Sequence, residues 1–308
     1  MAQGAAVNKK HKEHIRLSTG DRLFVILNYT LLTFIMLLVL YPLVYIVSCS
    51  FSSPAAVTGG AVWLFPVDFS LIGYETVFKN SEIIPSFWNA VLITVVGTII
   101  NVACTIMAAY PLARRGLFGR GFITGLFAFT MLFNGGLIPT FLIVKQVGLY
   151  NSYFALWLPG AVSVYNMVVA RTFFQTNIPE ELYEAGELDG CSDIKFMLRI
   201  ALPLSVPIIA VLVMFYAVGH WNGYFGALIY LKDKSKFPLQ IILRNILIEN
   251  RMDDSSMMVD VEAMARKQGL AELLKYSLIV IGSLPMMLLY PFVQKHFVKG
   301  VMIGALKG

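Results

Sequence analysis

A chain of 308 residues that is 57% hydrophobic and 14% charged lies outside the range of soluble domains, where about 25% of residues are charged. Its mean hydropathy of +0.72 excludes the pair of soluble domains that this length would otherwise suggest. The net charge of +6 gathers at the flanks of apolar runs, so it reads as membrane topology and not as nucleic-acid binding.

Residues 1–22 form a polar tail with Lys9, Lys10, Lys12, Arg16 and Arg22, suited to a position beside anionic lipid. Six runs without Asp, Glu, Lys or Arg follow: Phe24–Cys49, Phe87–Ala113, Phe122–Val144, Tyr153–Ala170, Ala201–Val218 and Tyr276–Val293. Each is near the ~20 apolar residues that a helix needs to cross a bilayer. Runs this long are not barrel strands. The expectation is an all-α membrane protein with six transmembrane helices over residues 23–294. The first run is too long for a cleavable signal peptide and is expected to stay as an anchor. The bias of Lys and Arg puts both termini in the cytoplasm, the second being the tail 295–308. It puts the connection with Arg114, Arg115 and Arg120 there too, and the loop around Glu184. The long segment 222–272, of mixed charge, is expected on the other face.

Within the runs, polar and breaking residues mark special places. Gly135, Gly136 and Pro139 should break or kink the third helix, beside Asn134. Discontinuous helices carry binding or gating elements in transporters, and small residues also permit close packing. Asn166 is a polar group at membrane depth and must face protein or a water-filled cavity. Tyr216, His220, Trp221 and Asn222 form the densest polar-aromatic cluster. Stacking faces and hydrogen-bonding groups of this kind suit a sugar; an interfacial aromatic belt has the same composition. Cys49, Cys104 and Cys191 have no metal-ligand spacing and read as packing residues.

The stretch from Ile178 to Pro203 is different: it is acid-rich and helical in pattern. Pro179 suits a first turn. Glu180 and Glu181 favour the helix N-terminus, and Gly190 can end the helix in the left-handed conformation. Ser192 can cap a second helix, Asp193–Arg199, that runs on into the fifth apolar run. Such an element lies at the membrane surface, as an ordinary connector or as a contact for another protein.

Its residues carry a resemblance. Glu184-Ala185-Gly186, then Gly190, Ile200 and Leu202-Pro203, resemble the EAA signature of ABC-importer membrane subunits, with Gly186 where that signature has Ala. With Gly135–Pro139, Ser163–Asn166, His220–Asn222 and Gln294–Gly304, the chain resembles the carbohydrate-uptake permeases of type I ABC importers, maltose-permease-like, in the LplC/YtcP-like group. The resemblance implies a coupling loop formed by Tyr183, Glu184, Ala185, Gly186, Leu188, Asp189, Gly190, Leu202 and Pro203, with Tyr183, Glu184 and Leu188 set in a groove of an ATPase. It implies a second homologous permease, two ABC ATPase subunits that bind ATP and Mg, and an extracellular or lipid-anchored solute-binding protein. The cargo it implies is a carbohydrate, an oligosaccharide or a polysaccharide fragment. Asn134, Asn166, Tyr216, His220, Trp221 and Asn222 are then expected on the pathway. The chain itself has no phosphate-binding G-x-x-x-x-G-K-[ST] loop, so it is expected to be no enzyme and to hold no cofactor. A permease for a non-sugar solute is the alternative. An ion-coupled transporter commonly needs an ionisable relay in the membrane, which the charge-free runs lack.

Overall fold

A computed structural model describes the backbone of residues 18–252 and 261–305 and the side chains of 18–248 and 268–291. The basic tail before Ser18, the acidic residues Asp253, Asp254 and Asp260, Lys307, and the side chains of the Gln294–Gly304 motif lie outside what is described. The described residues form helices and no strands.

Helix α1 (Thr19–Ser50) starts at Ser18, whose backbone N–H donates to the Asp21 carboxylate. Only its last residues, Ser48, Cys49 and Ser50, are buried. They hold the following loop, with its short helices α2 (Pro54–Thr58) and α3 (Ile72–Phe78). The Ser48 hydroxyl donates to Leu64 O, and the Tyr74 hydroxyl donates to Ser50 Oγ.

Helix α4 (Ile83–Ala113) is the axis of the molecule. Half of its most apolar stretch is buried, and it packs chiefly on the later helices Val164–Asn177 and Val206–Trp221. The buried face repeats at helical spacing: Ala90, Ile93, Thr94, Gly97, Thr98, Asn101, Thr105, Ala109. It carries small and polar residues because neighbouring backbones come close.

The third run is not one helix. Helices α5 (Arg120–Leu132) and α6 (Leu137–Gln146) meet at 113°. Gly136, with φ +85°, makes the corner, and Asn134 Oδ1 accepts the Gly136 N–H. Pro139 lies in the first turn of α6, where no intrahelical N–H partner is missed. The fourth run is broken too. Helix α7 (Phe154–Trp157) ends before Pro159, and α8 (Val164–Asn177) begins after the Ser163 cap. Helix α8 also outlasts the charge-free run, because Arg171 turns its guanidinium to the Leu112 carbonyl at the end of α4.

Helix α9 (Glu180–Leu188) is followed by an arm: α10 (Asp193–Phe196), a π-helical turn (Met197–Ala201) and α11 (Leu202–Leu204). The arm bends by 82° at Ser205 into α12 (Val206–Trp221), where a continuous run into the fifth span was expected. Helices α13 (Tyr224–Tyr230) and α14 (Leu239–Met252) lead to α15 (Val261–Ala305), which takes in the sixth run and begins inside the supposed outer segment. Three described helices are long and apolar enough to cross a membrane, and up to five spans result if each bent pair is one. The run that escapes this count is the broken Tyr153–Ala170.

Two cores flank α4. One joins its C-terminal half to α8, α9, the arm and α12 through Tyr110, Phe174, Tyr183, Phe196 and Leu212. The other joins its N-terminal half to α12, α14 and α15 through Ala90, Trp221, Ile242 and Leu274.

Candidate functional site

The surface helix α9 is held on one side and free on the other. Pro179 is its N-cap, in extended conformation, one position earlier than the expected first turn. Tyr183 and Gly186, three apart, face inward. The Tyr183 ring stacks on Phe196 with centroids 4.4 Å apart. An added Cβ at Gly186 would stand 2.8 Å from Phe196 Cδ2, so the small residue serves the contact between α9 and the arm. Gly190 has φ +68° and open space around it; the backbone turn requires it, not packing. The turn is closed by Cys191 N–H donating to Gly186 O at 2.8 Å. Ser192 stands at the cap of α10 without a side-chain bond.

Tyr183 corrects an expectation. It is 6% exposed and sits in the chain's own core with Tyr110, so it is not free to enter a groove of another protein. Glu184, Ala185, Leu188 and Asp189 do face outward, Leu188 at 90% exposure. Leu202 is half-buried and Pro203 exposed at the end of the arm.

The end of α4 completes this site. The Arg114 guanidinium lies 3.7 Å above the Tyr183 ring. It reaches Glu187 at 3.2 Å and Asp193 at 3.7 Å. Arg115 reaches Glu180 at 3.8 Å. The sequence marked these arginines only as topology signals.

The second group lies deeper. Asn101 Nδ2 donates to Gly160 O at 2.7 Å, and Asn101 Oδ1 shares a 3.1 Å hydrogen bond with His220 Nε2. Tyr216 and Thr105 hydroxyls share one of 2.6 Å, and the Ser163 N–H donates to the Tyr216 oxygen at 3.0 Å. Trp157 Nε1 donates to Ile93 O at 3.1 Å. The turn between α7 and α8 is thus tied to α4 and α12 by side chains. Irregular backbone at membrane depth persists only where it is so satisfied. Gly97 admits this closeness, since a Cβ there would meet His220 Nε2 at 2.6 Å and Trp157 Cδ1 at 2.8 Å.

Of the expected pathway residues, Asn166 lies in the first turn of α8, while Tyr216 and His220 lie on α12 and bond respectively to this turn and to Asn101. Trp221, on the same helix, packs elsewhere. It is 2% exposed, its Nε1 donates to Gly282 O at 2.8 Å, and Phe87 meets its ring edge-on. It is a packing residue between α12 and α15, on the opposite side of α12. Asn134 and Asn222 are exposed, at the α5–α6 corner and the end of α12. Asn101 and Thr105 were legible as polar residues four apart on the apolar α4, yet nothing in their order along the chain pointed to Gly160 or Tyr216.

Outside the spans, Asn151 pins the loop after α13. With φ +60°, it donates to Asp233 Oδ2 at 2.7 Å and accepts from the N–H groups of Lys232 and Asp233. The Asn151 hydrogen bond, then Lys236, hold the Asp233 carboxyl below its usual range. Among the described residues, no His, Cys, Asp and Glu side chains gather into a metal site.

Broken apolar helices, with backbone held by side chains around one long axis, and a short polar helix strapped to its end define a helical membrane transport subunit. A family model for binding-protein-dependent transport system inner membrane components matches residues 82–303, and the chain belongs to that family. It is 41% identical over 289 residues to Protein LplC of Bacillus subtilis (strain 168), covering 94% of this chain and 96% of that one. It is also 41% identical to the polygalacturonan/rhamnogalacturonan transport system permease protein YtcP of the same organism, covering 94% and 99%. A solved structure of a bacterial ABC transporter involved in the import of the acidic polysaccharide alginate contains a chain that matches with a TM-score of 0.79 and 33% identity, over 92% of this chain and 99% of that one.

Proposed function

We propose that this chain is the membrane-spanning permease subunit of an ATP-driven importer in a bacterial plasma membrane. It forms half of the pathway for a carbohydrate, an oligosaccharide or polysaccharide fragment, handed over by an extracellular binding protein. A second, homologous permease forms the other half, and two ABC ATPase subunits supply the energy. Six spans serve it: α1, α4, the α5–α6 pair, the α7–α8 pair, the arm with α12, and α15. Both termini and α9 face the cytoplasm, in keeping with the arginines at 114, 115 and 120.

The observation that carries this reading is the division of α9. Its inner face is spent on Tyr183 and Gly186, while Glu184, Ala185 and Leu188 remain outward. A short polar helix so anchored is built to receive a contact. The sugar class rests on YtcP, a polygalacturonan/rhamnogalacturonan permease at 41% identity, and on the alginate-importing transporter. Asn166, Tyr216 and His220 support a polar lining where the broken helices meet.

A cysteine at position 188 should cross-link to the ATPase subunit in the purified assembly. Efficient labelling of that cysteine from outside intact cells would exclude the orientation. For the cargo, deletion of the gene should abolish uptake of labelled oligogalacturonide or alginate oligomer. Unchanged uptake of both, with loss of a non-sugar solute, would overturn the carbohydrate assignment.

A further inference from the structure

Arg114 touches three groups that belong to two different elements. Tyr183 and Glu187 are one turn apart on α9, Asp193 opens α10, and Arg114 stands just beyond the end of α4. Its side chain is 18% exposed, while those of Glu187 and Asp193 are 69% and 80% exposed. The cation is therefore laid against the ring and the two acids close over it from solvent. An exposed ion pair alone holds little. A planar guanidinium that stacks on an aromatic face while its Nη2 reaches toward both carboxylates fixes an orientation, which Lys cannot copy.

The backbone joins α9 to α8 through Ile178-Pro179 and to α10 through the Gly190 turn. Off the line between those two joints, α9 is held by the Tyr183 ring, packed on Phe196 and beside Tyr110, and by Arg114, whose charge contact with Glu187 ties it to the end of α4. A cleft of about 730 Å³ opens between the end of α4 and the arm, lined by Met107, Pro111, Leu117, Ile194 and Met197 as well as Arg114. Across that cleft Arg114 links the end of α4 to the arm, beside the core that Tyr110, Tyr183 and Phe196 share.

Building on the proposed role of α9 as the ATPase-docking helix, we infer that Arg114 is a positioning residue that locks α9 and the arm to α4. A push on α9 then moves α4 together with the two helices joined to the loop by backbone. Because Asn101 and Thr105 of α4 hold the α7–α8 turn and α12, the displacement reaches the polar cluster directly.

The test is made on the purified assembly of this chain with its ATPase, its native cysteines replaced. Spin labels are placed at positions 118 and 188, where Phe118 and Leu188 are 97% and 90% exposed. The distance between them is measured without nucleotide and with ATP and vanadate. The expected wild-type distribution is the same in both states. In Arg114→Ala it broadens and its maximum shifts between states, and Arg114→Lys recovers only part of the wild-type width. Since Arg114→Ala can lose folded protein, Glu187→Gln combined with Asp193→Asn is measured as well; it should broaden the distribution while its exposed sites spare the fold. A wild-type distance that changes with nucleotide, or one that stays fixed in all the variants, overturns the lock. A chain that binds no ATPase at all overturns the lock and the docking role together, so the two failures are told apart.

Discussion

Gly186 and Gly190 stand four residues apart and are glycines for different reasons. At Gly190 the backbone demands it: φ is +68° and no atom lies within reach of an added Cβ. At Gly186 the backbone is helical and the demand is space, set by the Phe196 ring. Gly186→Ala would regain about 1 kcal/mol of helix propensity. Against this, forcing a methyl into a filled contact costs about 1–3 kcal/mol. The Phe196 ring is 3% exposed and stacked on Tyr183, so it cannot swing clear. Gly186→Ala should therefore lower the thermal unfolding midpoint in detergent, and an unchanged or raised midpoint would show that the ring yields. At the far loop, Asp233 gives a pH dependence with a definite sign. Its folded pKa is depressed by Asn151 and then by Lys236. The stabilisation is therefore present above the unfolded carboxyl pKa of about 3.9 and is lost as pH falls through the folded value. Amide exchange protection of residues 232–236 should drop on acidification below about pH 4. In Asn151→Ala it should already be low at neutral pH; protection that is flat with pH in the wild type would refute the assignment.

At the scale of elements, the α7–α8 break decides how α4 and α12 are used. The turn has carbonyl and amide groups that lipid cannot satisfy, and Asn101 and Tyr216 supply the partners. Tyr216→Phe removes the partner that the Ser163 N–H has among the described residues, whereas Thr105→Val leaves Tyr216 still bonded to Ser163. A buried group left unpaired costs about 1–3 kcal/mol. A hydrogen bond between membrane helices whose remaining partner is still engaged averages nearer ~0.6 kcal/mol. Tyr216→Phe should thus destabilise more than Thr105→Val in unfolding titrations. Equal losses, or the reverse order, would mean that the Tyr216 hydroxyl matters for something other than this turn.

At the scale of the molecule, Trp221 is the contact that draws α15 against α12. Its ring lies in the core shared by α3, α4, α14 and α15, and its N–H is spent on Gly282. Trp221→Ala should cost about 3–5 kcal/mol and be read as loss of monodisperse protein on size-exclusion. A variant that folds and assembles normally yet fails to transport would return Trp221 to the pathway. The isolated chain also keeps long apolar faces uncovered, above all on α1, none of whose most apolar stretch is buried. Such surface belongs against lipid or another subunit.

Composition and charge-free runs alone determined that this is a helical membrane protein, because hydropathy is a property of each segment and needs no neighbour. The glycine at 190, the break near Gly136 and the acidic surface helix were legible for the same reason: φ preference and capping are local. What the tertiary structure decided was which side each residue faces. Tyr183 and Trp221 read as contact residues in one dimension, and packing turned both inward. Arg114 read as a topology charge, and its stack on a ring 69 residues away in the chain made it the fastening of α9. Asn101 lies 59 residues before Gly160, and no local pattern relates a polar side chain to a distant carbonyl. The fourth run looked like a single span by hydropathy. Its Pro159-Gly160 pair could break there only because α4 and α12 offered partners for the backbone it released, and that offer exists only once the helices are packed.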